Sequence, residues 1–324
     1  MPSYYGDSMS RLDLLRKGIL PLHGVLEIGP YFNPIAARAA GYRTTTLDVF
    51  DTNSLRQKAA VDPNIPQERH EEIEEVDLVG SACDLADLTA AHYGAEHRFD
   101  WILSSHNIEH IPNPVRFLQQ CAAVLRPEGT LRLAVPDKRY CFDHFRMLTE
   151  GSEWLEAFFE NRSQPTPYQL FREGTIFSGP LPSGGGWRPT RKSLSVFRDW
   201  FGPEGRVPMH YIDTHCWAFT PESFELLVRD MIAFRLVDLR IDSVSETCGI
   251  EFYVDLVRPS SPVELDEDEY YSIRERLLRR CVDGTTSINE CAPAATRTQS
   301  VPRRVLREVS RVIRQIQSVG RAAA

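Results

Sequence analysis

The chain has 324 residues, 42% hydrophobic and 25% charged, an ordinary balance for a soluble globular protein of one large domain or two small ones. Its net charge of −8 conceals an asymmetry: residues 303–324 carry +5, leaving −13 for the rest, and so acidic a body argues against nucleic acid as a substrate. No run of about 18 apolar residues calls for a membrane span, the N-terminus lacks a secretory leader, and seven scattered cysteines without a C-x-x-C pair read as reduced thiols in a cytoplasm.

Residues 8–22 read as a short amphipathic helix and 24–29 as the first strand. An alanine-rich helix over 35–40 follows, closed by Gly41, before a second strand at 44–49. The first strand ends at Gly29, where a missing Cβ lets a ligand approach the backbone. The second carries Asp48, an acid able to accept hydrogen bonds from ribose hydroxyls. The loop between them holds one glycine and two prolines (Pro30, Pro34), so it lacks the G-x-G-x-x-G cradle of a dinucleotide pyrophosphate. Pro30 removes an amide donor and Tyr31 and Phe32 add bulk, which favours a nucleoside without phosphates, S-adenosylmethionine being the common one.

Residues 51–75 are polar helix or loop, and Cys83-Asp84-Leu85 reads as the end of a third strand with another acid. A nearly apolar fourth strand covers 99–105, a helix 114–125 starts at Pro114, and a fifth strand covers 130–135. This alternation means a parallel sheet. From 140 to about 216 it stops in a stretch rich in aromatics, proline and glycine, too long for a simple loop and read as an insertion with helices at 152–161 and 194–201. A helix capped by Thr220 runs to 231, and 235–243 and 251–257 form an antiparallel hairpin at the sheet edge. A helix at 267–280, a polar linker and a last helix at 302–319 complete the chain; the last is basic and amphipathic, suited to an anionic membrane surface, a protein partner or the domain's own acidic face.

The order of these elements resembles the Rossmann-like S-adenosylmethionine-dependent methyltransferases. Glu27-Ile28-Gly29, Asp48, Cys83-Asp84-Leu85, the run 99–110 and Leu125-Arg126-Pro127-Glu128-Gly129-Thr130-Leu131 carry the resemblance. It implies an α/β fold with a doubly wound sheet of seven strands, mainly parallel with an antiparallel edge hairpin, and a long insertion after strand five. It also implies that Glu27, Gly29, Pro30 and Asp48 meet the cofactor, that Asp84 faces the adenine amino group with Cys83 beside the ring, and that Ser105 and His106 flank the methionine portion. The motifs 134–143 and 211–221 are similar to those of bacterial methyltransferases found with glycosyltransferases in glycan biosynthesis. That resemblance implies O-methylation of a sugar or glycan intermediate. An aromatic or polyketide acceptor is the enzymatic alternative, and a catalytically silent module tethering a glycosyltransferase is the non-enzymatic one.

A hydroxyl acceptor needs a base for its proton. His106, His110, His144, His210 and His215 are candidates, and His210 and His215 stand out because they bracket Asp213, which can fix a histidine's tautomer. His106-Asn107-Ile108-Glu109-His110 matches the zinc-peptidase pattern H-x-x-E-H, but the five residues follow a strand and prolines 112 and 114 interrupt any helix. They read as loop residues lining the cofactor pocket, and no metal is expected. The boundaries are 1–258 for the cofactor-binding domain, with 140–217 as an acceptor lid, 259–301 for an acidic helix and linker, and 302–324 for the tail.

Overall fold

The computed structural model describes residues 10–286 apart from 64, 182–184, 191 and 208–210. The tail helix and His210 therefore lie outside the described residues. The apolar runs form β1 (Gly24–Ile28), β2 (Arg43–Asp48), β3 (Leu78–Val79), β4 (Phe99–Ser105) and β5 (Leu125–Pro136). With β8 (Arg240–Val244) and β9 (Glu251–Val257) they make one sheet in the order β3-β2-β1-β4-β5-β9-β8. The first five strands pair in parallel, and β9 runs antiparallel to both β5 and β8, the edge hairpin read from the sequence. Strands this apolar need cover on both faces. α4 (Pro114–Val124) supplies part of it through Val115, Phe117, Leu118 and Cys121, all fully buried.

Three local expectations change. Between β1 and β2 there is no α-helix, only a 3₁₀ turn at Arg38–Ala40 closed by Gly41 in the left-handed region. The Glu27 carboxylate takes the amides of Ile35 (2.6 Å) and Ala36 (2.9 Å), the donors a helix would start from, and Pro34 lacks one altogether. β3 spans two residues only, and Ala82–Asp84 is a 3₁₀ turn running into α3 (Leu85–Tyr93), so Asp84 stands at a helix entry rather than a strand end. The fifth strand, expected over 130–135, already begins at Leu125 as an irregular β5, whose pairing with β4 slips between Phe99 and Trp101.

The insertion holds α5 (Gly151–Phe159), α6 (Pro167–Ile176), the hairpin β6 (Ser178–Pro180) and β7 (Trp187–Pro189), and α7 (Ser193–Phe201). α5 is fastened to the sheet by Trp154, whose ring meets Phe219 and Phe224 edge-on at 6.1 and 6.2 Å. Phe224 belongs to α8 (Pro221–Ala233) and also touches Phe252 of β9. α9 (Glu267–Thr286) lies on α8, where Asp230 accepts hydrogen bonds from Tyr270 and Arg274. No helix among the described residues is long and apolar enough to cross a membrane.

α6 starts with a reciprocal cap: Thr166 Oγ1 accepts from Gln169 N and Gln169 Oε1 accepts from Thr166 N, with Pro167 at the first position. Thr166→Ala is expected to lower stability by about 1 kcal/mol in urea unfolding. An unchanged midpoint would mean that packing alone holds this helix.

Candidate functional site

From β1 the chain steps outward to β2 and β3 and then returns to the other side of β1 as β4. Between β1 and β4 the order reverses, and ligands of such sheets bind at the carboxyl ends of the strands there. A cavity of about 680 Å³ opens at this point, within the usual range for small-molecule sites. Glu27, Gly29, Pro30, Ser105 and His106 line it together, five of the residues expected from the sequence.

Gly29 has φ +65°, and a Cβ added there would meet no atom within 4 Å, so the space above the strand end is open. Tyr31 is also left-handed (φ 46°), a costly state for a bulky residue, which bends the loop sharply around Pro30. The Tyr31 and Phe32 rings meet edge-on at 5.0 Å and pack against the cluster of Leu55, Ala59, Ile65 and Ile73. Glu27 is buried beneath the loop and spends both oxygens on its amides. It shapes the cavity floor. Burial pushes its carboxyl up to about 7, although the two amides pull the other way.

That shift has a consequence for stability. Glu27 keeps in the folded state a proton that the unfolded chain releases from its ordinary value of 4.5. Between pH 4.5 and about 7 the unfolded state binds fewer protons, so stability falls as pH rises and levels off above 7. Urea midpoints across this window should decline in the wild type and flatten in Glu27→Gln; equal slopes would show that Glu27 titrates normally.

Asp48 ends β2, is nearly buried, and accepts from Phe50 N at 2.9 Å, which orients its carboxylate. It lies off the lining of the cavity. Its charge reaches Tyr211, and that of Asp213 reaches Lys58 on α2 (Thr52–Val61), so the end of the insertion passes across this side of the sheet. Cys83 and Asp84 also lie off the lining. Arg116 holds both, donating to Cys83 O (2.8 Å) and to Asp84 Oδ1 (2.7 Å). Burial pushes the Cys83 thiol up to about 11, so it is no nucleophile.

On the opposite wall stand residues the sequence did not single out. Arg11, on α1 (Arg11–Arg16), pairs with both oxygens of Glu251 at 2.6 and 3.0 Å and donates to Ser105 Oγ at 2.7 Å. His106 Nε2 meets Glu251 Oε2 at 2.6 Å. Burial would raise Glu251, but His106 and Arg11 hold it down at about 2.

Beyond His106, the loop after β4 meets the end of the insertion. Glu109 O accepts from Cys216 N (2.7 Å) and Trp217 N (3.2 Å), which sets the two segments side by side. His110 and His215 then stand edge to face at 4.5 Å. The pairing expected within the Asp213–His215 segment is not the one that forms. Asp213 Oδ1 lies 2.9 Å from Nδ1 of His110, while Nδ1 of His215 meets Asp143 Oδ2 at 2.5 Å. Burial would raise Asp143, but His215 and Arg146 hold it at about 2. Arg146 also donates to His215 O (2.7 Å) and Cys216 O (2.9 Å), clamping the segment. Glu173 of α6 accepts from His215 N at 2.8 Å and from the Thr214 hydroxyl. Asp143 and His215 sit in the two sequence motifs that resembled the same enzyme group, which was the one available signal that they belong together.

A family model described as a methyltransferase domain matches residues 11–231. The ubiquinone biosynthesis O-methyltransferase of Cereibacter sphaeroides is 26% identical over 135 residues, covering 36% of this chain and 53% of that enzyme. The chain thus spans about half the length of that curated relative. Among solved structures, an S-adenosylmethionine-dependent methyltransferase from Methanosarcina mazei is similar at 16% identity and a TM-score of 0.39, covering 76% of this chain and 98% of that one. A glycopeptide N-methyltransferase solved with S-adenosyl-L-methionine is similar at 14% identity and a TM-score of 0.37, covering 79% and 96%.

Proposed function

The chain belongs to the methyltransferase-domain family, and from that premise we propose that it moves the methyl group of S-adenosylmethionine to a hydroxyl of a small-molecule acceptor, a sugar or glycan intermediate. The observation that carries this reading is the adjacency of two sites. His106 lines the cavity at the switch point, and its Nδ1 is 3.8 Å from Glu109, which stands between His110 and His215.

The residues suit such a cofactor. Asp48 offers a carboxylate to ribose hydroxyls, Arg11 a guanidinium to the amino-acid carboxylate, and Gly29 an open backbone between them. When bound, S-adenosylmethionine supplies an already electrophilic methyl carbon. The protein's part is therefore alignment and proton removal. Glu27 and the bend at Tyr31 hold the loop that walls the cavity. The clamp of Arg146, Asp143 and Glu173 holds His215, and Asp213 lies 2.9 Å from His110; in this reading one of these two imidazoles takes the acceptor's proton.

The similarity to an O-methyltransferase supports oxygen as the atom methylated. The sugar assignment draws on aromatic faces in the insertion, where His144 and Trp187 stack at 5.4 Å and Tyr140 and Phe145 are exposed. We place the chain in the cytoplasm, a compartment that suits free thiols such as those of Cys83, Cys121 and Cys216. The basic segment 302–319 is the part suited to an anionic surface or a protein partner.

Release of S-adenosylhomocysteine, measured over a panel of nucleotide sugars, glycan fragments and phenols, tests the reading. Turnover is expected with a sugar acceptor. Turnover with phenols alone transfers the assignment to an aromatic substrate. Absence of calorimetric binding of S-adenosylmethionine leaves only the silent scaffold.

A further inference from the structure

Glu109 is fully buried, and neither carboxylate oxygen has a hydrogen-bond partner among the described residues. An ionised carboxylate in that state costs several kcal/mol unless something pairs with it. Around it stand three imidazole nitrogens, none at hydrogen-bond distance: His106 Nδ1 at 3.8 Å, and His110 Nε2 and His215 Nε2 each at 3.9 Å. Separations of this size are too long for direct bonds and suit ligands that share a small cation.

We infer that Glu109, His110 and His215 form a binding site for a divalent first-row cation such as Zn²⁺. The ligand atoms of these three side chains lie within 4.8 Å of one another. A cation among them would start within about 2.8 Å of each, and bonds to imidazole and carboxylate are about 2.0–2.2 Å, so small rotamer shifts close the site. The outer contacts follow the same logic. Nδ1 of His215 is tied to Asp143 and Nδ1 of His110 lies against Asp213, which leaves Nε2 of both rings facing Glu109. A carboxylate behind each histidine is the usual support of a metal ligand, since it sets the tautomer and raises basicity. Two imidazoles and one carboxylate favour Zn²⁺ or its neighbours over Mg²⁺, which prefers oxygen alone.

The ligands come from two regions far apart in sequence. Glu109 and His110 follow β4, and His215 closes the insertion, with the backbone bonds from Cys216 and Trp217 to Glu109 O joining them. The peptidase-like pentapeptide thus contributes two ligands, but with a partner 105 residues away rather than with His106, whose φ of 49° breaks the helix that pattern needs. No metal was expected from the sequence because His215 could not be placed beside Glu109.

Three protein ligands leave a position open. The chemical role of that position rests on the methyl-transfer reading. An acceptor hydroxyl bound there loses its proton to solvent more readily. Its oxygen then forms the new bond to the methyl carbon, the carbon–sulfur bond breaks, and its electron pair stays on sulfur as the neutral thioether. Cation binding itself does not depend on that chemistry.

The test uses the full chain, stripped with chelator and titrated with Zn²⁺ or Co²⁺ alone. One equivalent should bind, Co²⁺ should give the visible absorption of a low-symmetry site, and the thermal midpoint should rise. Glu109→Gln and His215→Ala should each weaken binding at least about 10-fold, and Asp143→Asn about 10–100-fold. His92→Ala, an exposed control in the last turn of α3, should bind as the wild type does. Glu109→Gln keeps the shape of the side chain and removes no hydrogen bond among the described residues, so its metal-free form should fold as the wild type does. No stoichiometric binding, or equal binding in Glu109→Gln and wild type, overturns the inference. Parallel calorimetry with S-adenosylmethionine separates the two ideas. Cofactor bound without metal removes the cation site and leaves methyl transfer standing; metal bound without cofactor does the reverse.

Discussion

His215→Ala is expected to lower methyl transfer by roughly 10²–10⁴-fold, with S-adenosylmethionine affinity unchanged. The side chain is buried, its Nδ1 is bound to Asp143 at 2.5 Å, and its Nε2 points to Glu109. It is thus held in one orientation beside the cavity that His106 lines. Whether the imidazole takes the acceptor's proton itself or holds a cation that makes the proton easier to lose, its removal abolishes that help. Asp143→Asn keeps the shape and should cost less, about 10–100-fold, because the ring loses its fixed tautomer but remains. Single-turnover rates with saturating cofactor provide the measurement. His210→Ala, at a position outside the described residues, belongs in the same series. Full activity in both histidine variants would move the search for the base to His106, His110 and His144.

Asp48→Ala should weaken S-adenosylmethionine binding by roughly 2–4 kcal/mol, the loss of two hydrogen bonds to a charged acceptor. Asp48 ends β2, and Phe50 N donates to its Oδ1 and orients the group. Burial raises its pKa, so the fold gains no favourable ion from it, and removing the carboxylate should spare stability while removing the ligand. Titration calorimetry on a variant with a wild-type melting curve isolates the effect. An unchanged dissociation constant would show that ribose sits elsewhere in the cleft.

Both predictions combine local signals with distant ones. β4 appears over the residues its apolar run marked, 99–105, because a strand buried on both faces has few alternatives. α4 begins where Pro114 suits a first turn, with Asn113 as the cap. Asp48 and Gly29 stand at the strand ends that hydrophobic pattern and backbone freedom assigned to them. The edge hairpin β8–β9 was likewise expected, although its first strand starts at Arg240 and not at 235. α6 was not anticipated; its sequence carries Gly174 and Thr175 within the last turn, and its stability comes from the Thr166–Gln169 cap.

What the sequence determined by itself was the main strands, their α/β order and the acid and glycine at the ends of β1 and β2, because each follows from periodicity and residue type within a few positions. What only the tertiary structure decided was which charged groups meet. Asp213 stands two residues from His215 in sequence but pairs with His110, and His215 takes Asp143, 72 residues away. Arg11 finds Glu251 across 240 residues. The physical reason is that residues 211–218 form neither helix nor strand, so no local periodicity fixes which neighbours meet and each side chain pairs with whatever the packed elements bring beside it. The backbone bonds from Cys216 and Trp217 to Glu109 then select which side of the insertion faces the cleft.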